Sequence, residues 1–529
     1  MLRSATILLL IVLSVFFGLY ENYPRPGWVD PSLYTGYAIN PDIYKIYPFQ
    51  LNAYHGSRLG YIFPLHLFSQ AFGDLHGRAL YVLSLYLAYS VSVLIVVGFF
   101  LKKEIERILV CTILLFNPVF ISSILYGGVD GPASVQFIVS IALLIGATHS
   151  NRSLTKILLS FLSGIFLALS LSSHVFMLIP ALLVIPGLVF LYRISKLLVV
   201  MAFGAAITIT LCALVGLQFG IEQFYFLYSV GWAKKSLGGS GSDFSQPFYF
   251  WIKNSIFWLP VILSILLCLG IRRDIKAQNR KQITLWILSL LNLVGPATLY
   301  IIFDVFIGGN LLGTPSYFNI VFPSFFIGFV ILIALSARYG GEYVLREVQW
   351  TYSIRGVLIL FIALNVSFAL FNDYVKPMFS YNSVNTREFY QSQVAFRDEI
   401  KASGLNGKKI QFVYKSANAI KGFSPRIYKD YFRGSPRFFD YFDSLVALFV
   451  WDQSIAARID PASDLSSIQL TLKGDRPVIL LGSSKTEIQQ MNQALSRLLV
   501  GYSTINAQCY DENSYPWCFL ALKYDENSL

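Results

Sequence analysis

The chain has 529 residues, 55% hydrophobic and only 13% charged, with a mean hydropathy of +0.59 and a formal net charge of +12. Soluble domains carry about 25% charged residues, so this composition excludes an ordinary water-soluble fold and places the chain in a lipid bilayer. The positive charge does not point to nucleic acid, because residues 374–529 hold 18 basic against 15 acidic side chains rather than one basic face.

Apolar runs lie near residues 5–20, 80–101, 108–126, 132–148, 157–174, 176–192, 197–219, 254–270, 283–303, 316–336 and 357–373. Most are long enough to cross a roughly 30 Å hydrocarbon core at about 1.5 Å per residue, and they predict about eleven transmembrane helices. The first run follows Arg3, but Phe17-Gly18-Leu19-Tyr20-Glu21 offers no small-x-small cleavage site, so it reads as an uncleaved span. Residues 21–79 then form a long loop, wet and aromatic, before the next span.

Orientation follows from lysine and arginine. One set of alternate loops holds sixteen of them and the longer opposite set only seven, which predicts a cytoplasmic amino terminus and an extracytoplasmic carboxyl-terminal part. Cys111, Cys212 and Cys268 fall in apolar spans and read as small core residues, whereas Cys509 and Cys518 fall outside the membrane. There they fit either a hairpin staple or two free thiols.

The Gly-Ser-rich stretch 229–247 carries Lys234 and Lys235, which suit solvent or lipid headgroups, or a mobile lid. The pattern changes near residue 374, dividing the chain into a membrane domain, 1–373, and a soluble domain, 374–529. In the latter, periodicity predicts helices over 387–402 and 487–499 and strands over 409–415, 477–481 and 518–524, hence a small α/β domain. Gly482-Ser483-Ser484 lacks the lysine and spacing of a phosphate loop and reads as a turn and cap.

Buried charge is costly in a bilayer, so acidic residues at membrane level mark candidate sites. Glu21, Asp30, Asp42, Asp74, Asp130, Glu222, Asp243 and Asp304 all fall at the outer face, and the middles of the helices are nearly free of charge. This distribution disfavours an ion path and favours a site at the surface. Asp30, Asp130 and His174 come out near one interface, and the first loop adds Arg58 at the same face. A carboxylate beside a guanidinium at a membrane rim suits chemistry on a lipid-borne phosphate. Tyr34 and Tyr61, with Trp28, are candidates to stack on a sugar ring.

These residues resemble a known superfamily. The short first helix, the spaced Asp30, Tyr34 and Ala38, the basic-aromatic-proline segment ending at Phe72-Gly73 and the second acidic loop from Tyr126 to Pro132 look like the polyprenyl-phosphate-sugar-dependent glycosyltransferases of the C fold (GT-C). Protein O-mannosyltransferases and bacterial aminoarabinose transferases are the families most resembled. Ser172-Ser173-His174 followed by Pro180 is similar to the family's fifth helix. Gly313-Thr314-Pro315-Ser316-Tyr317-Phe318 is similar to the loop entering its tenth, which adds Tyr317 as a substrate-binding candidate. Asp30-Pro31 stands where the mannosyltransferases usually show Asp-Glu, and the tryptophan-rich signature of oligosaccharyltransferases is absent.

The resemblance implies a helical GT-C-like membrane protein in which Asp30 is the catalytic base; Asp130, in the second acidic loop, is a further catalytic candidate. The implied reaction is inverting transfer of a sugar from a polyprenyl-phosphate donor to an acceptor hydroxyl on a protein, lipid or glycan. The acceptor loses a proton as it attacks an oxocarbenium-like anomeric centre, and the leaving phosphate needs fixed cations or donors. Arg58 and His174 are the candidates for that role.

Other readings of the same residues stand beside this one. Asp30 before Pro31 suits a turn or cap, Asp130 suits a helix N-terminus, Arg58 suits a snorkelling interfacial arginine, and His174 suits a satisfied interface histidine. At the level of function, the alternatives are a flippase or transporter of lipid-linked sugars, a ligase using a pyrophosphate donor, and a non-catalytic scaffold. No cofactor is expected, and no cluster with metal-ligand spacing supports a divalent ion. The membrane expected is a bacterial plasma membrane.

Overall fold

The computed structural model describes residues 23, 29–46, 55–125, 128–221, 224–228, 258–271, 279–307, 315–339, 347–371, 386–405, 407–415, 441–449, 455–459, 472–473 and 476–525. The expected first span, Trp28, the segment carrying Lys234 and Lys235, and the expected boundary near 374 lie outside these residues.

In its described residues the stretch expected as a wet loop is mostly helical and largely buried. It contains α1 (Val29–Ile39), a single turn at Ile43–Ile46, and α2 (Leu59–Phe72). Its aromatic and small residues pack inward: Ser32, Leu33, Tyr34, Tyr37, Ala38, Tyr44, Leu59 and Tyr61 are all buried. In place of the expected exposure to water, neighbouring chain covers these rings.

The bundle continues with α3 (Asp74–Phe100), α4 (Glu104–Leu115), α5 (Pro118–Leu125), α6 (Asp130–His149), α7 (Ser153–Ser173), α8 (Leu178–Tyr192) and α9 (Ser195–Gln218). It closes with α10 (Leu259–Gly270), α11 (Arg280–Ile307), α12 (Pro315–Tyr339) and α13 (Glu347–Phe371). The protein is an integral membrane protein. Among the described residues seven helices are long and apolar enough to cross a membrane, or eight if α4 and α5 form one span bent by 44°. The count of eleven is therefore not reached among the described residues, and α10 and the apolar part of α13, Arg355–Ser367, are shorter than a full span. The bend between α4 and α5 has a local cause: Pro118 begins the new helix, and the Asn117 side-chain oxygen accepts from the Phe120 amide at 2.9 Å.

Helix α12 sits at the centre, buried all round from Phe318 to Leu335, as a helix apolar on every face must be. Lipid tails are as apolar as leucine, so helix pairing relies on close packing and polar contacts. Ser134 donates to the Asn319 carbonyl, Ser170 to the Ala133 carbonyl at 2.7 Å and Ser289 to the Gly328 carbonyl at 2.7 Å, joining α6 to α12, α7 to α6 and α11 to α12.

The carboxyl-terminal part holds α14 (Thr386–Ala402), β1 (Gln411–Lys415), α15 (Tyr441–Ala447), β2 (Ile455–Ile459), β3 (Val478–Gly482), α16 (Lys485–Ala494), β4 (Tyr502–Tyr510) and β5 (Trp517–Tyr524). The strands form one sheet in the order β2-β1-β3-β5-β4, parallel among β2, β1 and β3 and antiparallel at β5 and β4. Alternation along β3 sends Ile479 and Leu481 into a core with Phe389 and Phe396 of α14, and Val478 and Leu480 into a second core with Ile488 and Met491 of α16. Both faces are covered, as an apolar central strand requires. Ser484 caps α16 by accepting from the Glu487 amide at 3.2 Å, so the Gly482-Ser483-Ser484 segment is the expected turn and cap.

Cys509 and Cys518 are cross-strand neighbours on the β4–β5 hairpin and are joined as a disulfide; Cys111, Cys212 and Cys268 are free and buried. Alkylation of the denatured protein should therefore label three of the five cysteines before reduction and all five after it. Replacing Cys509 by Ser is expected to cost the domain about 2–3 kcal/mol, read as an earlier chemical unfolding of the hairpin, and an unchanged transition would remove the staple from the account.

Candidate active site

Helix α1 places Asp30 in its first turn, followed by Pro31 where the helix has no need of an amide donor. The Thr35 hydroxyl donates to the Pro31 carbonyl at 2.7 Å and so tightens this turn. The positive end of the helix favours a carboxylate at that position. Asp30 is nonetheless not spent on capping: its Oδ1 lies 3.3 Å from Nε2 of His55, and its side chain keeps 55% of its surface exposed.

His55 and Arg58 come from one turn. The Arg58 amide donates to the His55 carbonyl at 3.3 Å, and the Tyr61 and Ile62 amides donate to the Arg58 carbonyl at 3.0 Å, which starts α2 directly after it. The Tyr44 hydroxyl holds the turn from the other side, donating to the Gly56 carbonyl at 2.7 Å. Gly60 then lets α2 press onto α7. A side chain there would collide with the Leu169 carbonyl and come within 2.6 Å of the Ser173 hydroxyl. The Gln136 amide of α6 donates to the Gly60 carbonyl at 2.9 Å and its oxygen accepts from Ser173 at 2.9 Å, so α2, α6 and α7 meet at one point.

A second pair lies beside the first. Asp130 opens α6 and His174 follows the last turn of α7, with His174 Nε2 3.4 Å from Asp130 Oδ1. The Phe176 amide donates to His174 Nδ1 at 3.3 Å, so Nδ1 is an acceptor and the ring hydrogen sits on Nε2, facing the carboxylate. Arg58 links the two pairs, because its charge acts on Asp30, Asp130 and His174 alike. The structure thus brings Asp30, Asp130, Arg58 and His174 into one cluster at the membrane end where α3 and α6 begin and α7 ends.

The electrostatics favour an ionised Asp30. Burial of its surroundings pushes the carboxyl up, but the hydrogen bond and charge of His55, with the charge of Arg58, outweigh this and hold it below the usual carboxylate range. Arg58 itself is completely buried, so it does not snorkel to water; it acts as a fixed internal charge. Tyr34 and Tyr61 are buried too. Their rings meet edge to face at 6.0 Å, and Tyr34 lies 5.4 Å from the His55 ring. The Tyr61 hydroxyl accepts from Arg78 at 3.4 Å. These tyrosines back the cluster rather than present open stacking faces. Tyr317 lies in the first turn of α12, and its side chain is outside the described residues.

Sequence reasoning did not single out His55. Its only signal was its place three residues before Arg58, and nothing in the sequence put that turn against Asp30. Among the described residues no group of three or more histidine, cysteine or acidic side chains is arranged to hold a metal ion.

Neither a protein-family model nor a curated protein sequence matches the chain. Among solved structures it is similar to the crystal structure of ArnT from Cupriavidus metallidurans bound to undecaprenyl phosphate, at 13% identity and a TM-score of 0.45, over 98% of this chain and 97% of that one. It is also similar to the crystal structure of the same ArnT in the apo state, at 12% identity and a TM-score of 0.40, with the same coverage.

Because Gly60 sets the approach of α2 to α7, Gly60→Ala should lower the protein's stability by about 1–3 kcal/mol, seen as a lower melting temperature in detergent. A melting temperature equal to that of wild type would show that α2 has room to shift.

Proposed function

We propose that the chain is a GT-C-type membrane glycosyltransferase that moves a sugar from a polyprenyl-phosphate carrier to an acceptor hydroxyl, with Asp30 as the general base. The observation that carries this reading is the accessible Asp30 carboxylate held by His55 at 3.3 Å in a cluster that also contains a buried guanidinium and the Asp130–His174 pair. Among the described residues the ion-paired side chains of the membrane part, Asp30, Asp74, Lys103, Glu106, Asp130 and His174, lie at or near helix ends, which suits a reaction on a lipid headgroup better than the mid-depth charges expected of a flippase.

In the proposed reaction Asp30 accepts the acceptor's proton as its oxygen attacks the anomeric carbon. The bond from that carbon to the phosphate oxygen breaks with inversion, and the lipid phosphate departs with the electron pair. Arg58 and the Nε2 hydrogen of His174 supply positive potential for the phosphate, and Asp130 holds His174 in place. The donor's lipid tail stays among the membrane helices, which suits a site at the rim. The cluster faces the extracytoplasmic side, supported by the lysine and arginine distribution and by a disulfide that persists only in an oxidising compartment. A bacterial plasma membrane fits both. The protein, lipid or glycan acceptor is bound on the same side.

Transfer of radiolabelled sugar from a polyprenyl phosphate into membranes containing the protein tests the reading. Asp30→Asn should lower turnover at least about 100-fold with folding intact, and retained turnover in the purified variant would remove Asp30 from the mechanism. Arg58→Ala should raise the donor KM more than the acceptor KM; equal changes would deny it a role at the phosphate.

The pH dependence has a definite sign. His55 helps to hold the Asp30 pKa down, so the base stays ionised to below the usual carboxylate range. Removing the imidazole raises that pKa. In His55→Ala the acid limb of kcat against pH should therefore move to higher pH, and a limb that stays in place would show that another group sets it.

A further inference from the structure

We propose that the carboxyl-terminal domain is a working part of the active site: it fixes helix α1, and hence the Asp30 carboxylate, with Gln393 and Arg397 as positioning residues. This inference rests on the reading of Asp30 as the base. It is carried by the way α1 divides its two faces.

At helical spacing Asp30, Tyr34 and Ala38 share one side of α1. That side meets the membrane domain: Asp30 reaches His55, Tyr34 packs on His55 and Tyr61, and the Ala38 carbonyl is 2.7 Å from Nδ1 of His66 in α2. Ser32, Gly36 and Ile39 lie on the opposite side. Every one of them touches the carboxyl-terminal domain. The Gln393 amide of α14 donates to the Ser32 hydroxyl at 3.0 Å, and both side chains are completely buried. Gly36 lies so close to the residue following α15 that an added Cβ would come 2.5 Å from the Leu448 carbonyl oxygen. Ile39 joins the domain's own apolar core with Phe396 and Phe412, and its carbonyl accepts from Arg397 at 3.2 Å.

The clamp is referenced to the membrane frame. Arg397 also pairs with Asp74, the first residue of α3, and the Tyr390 hydroxyl donates to the Asp74 carbonyl at 3.4 Å. Burial opposes the charge of Arg397, but Asp74 and Asp398 outweigh it and hold the guanidinium ionised. One side chain of α14 thus grips the carboxyl end of α1 and the start of a spanning helix together, while Gln393, one helical turn away, grips the amino half of α1. An 11-residue helix is marginal by itself in water, so these outside contacts set its direction. The Ser32 contact is two residues from Asp30. A shift of about 1 Å in a reacting group costs up to 100-fold in rate, and this gives the domain its leverage.

The test uses the full-length protein with Ser32→Ala, Gln393→Ala and the double variant, measured for sugar transfer and for hydrogen exchange of the 29–39 amides. The expected result is a roughly tenfold fall in kcat for each single variant with donor KM within about twofold, and a double variant no slower than the worse single one. Exchange over 29–39 should rise while that of α6 and α12 stays unchanged. Ser32→Ala removes one hydroxyl and serves if Gln393→Ala fails to fold. Wild-type kcat in the variants, independent losses in the double variant, or unchanged exchange over 29–39 would each overturn the proposal. If the wild type transfers no sugar from any polyprenyl phosphate, the reading of the reaction fails, and exchange still decides whether the domain holds α1.

Discussion

A carboxylate at the rim of a membrane keeps its charge only where fixed partners replace the water it has lost. Asp30 meets that condition through His55 at 3.3 Å and the field of Arg58, both delivered by the single turn that opens α2. The rest of the arrangement follows from this requirement. The turn must be held, so Gly60 lets α2 lie directly on α7 and Gln136 ties the crossing to α6. Arg58 must not escape to solvent, so it is enclosed completely. Its charge also acts on Asp130, which has an imidazole of its own in His174 at 3.4 Å.

Much of this was legible from the residues because charge in an apolar chain is scarce. Asp30, Asp130 and His174 were placed near one interface by counting along helices, and the structure brings them into one cluster with Arg58. Other elements were legible from their patterns: α14 and α16 each show one buried stripe against polar neighbours, and β1, β3 and β5 are short runs of apolar and aromatic residues. Strands β2 and β4 were missed. Most of β4 is polar and exposed at the sheet edge, so it lacks the apolar alternation that marks a strand.

Helices α1 and α2 were hidden by a different cause. Their sequences, rich in tyrosine, glycine and proline, read locally as a loop, and they become helices because the membrane helices pack against both and the carboxyl-terminal domain closes over α1. His55 escaped notice because its partner is 25 residues away in sequence and is met only after that closure. Pairings made by folding rather than by helical or strand spacing leave no periodic trace. The Gln393–Ser32 bond, spanning 361 positions, is a much longer case. It lies beyond any pattern that neighbouring residues can show.

That span has a consequence for biosynthesis. At translation rates of about 5–20 residues per second, the 361 positions between Ser32 and Gln393 take roughly 20–70 s to emerge, so α1 waits that long for the contacts on its second face. During the interval only the membrane bundle is there for α1 to pack against. On the proposed reading, Asp30 is fully seated only once the carboxyl-terminal part that carries Gln393 has been made.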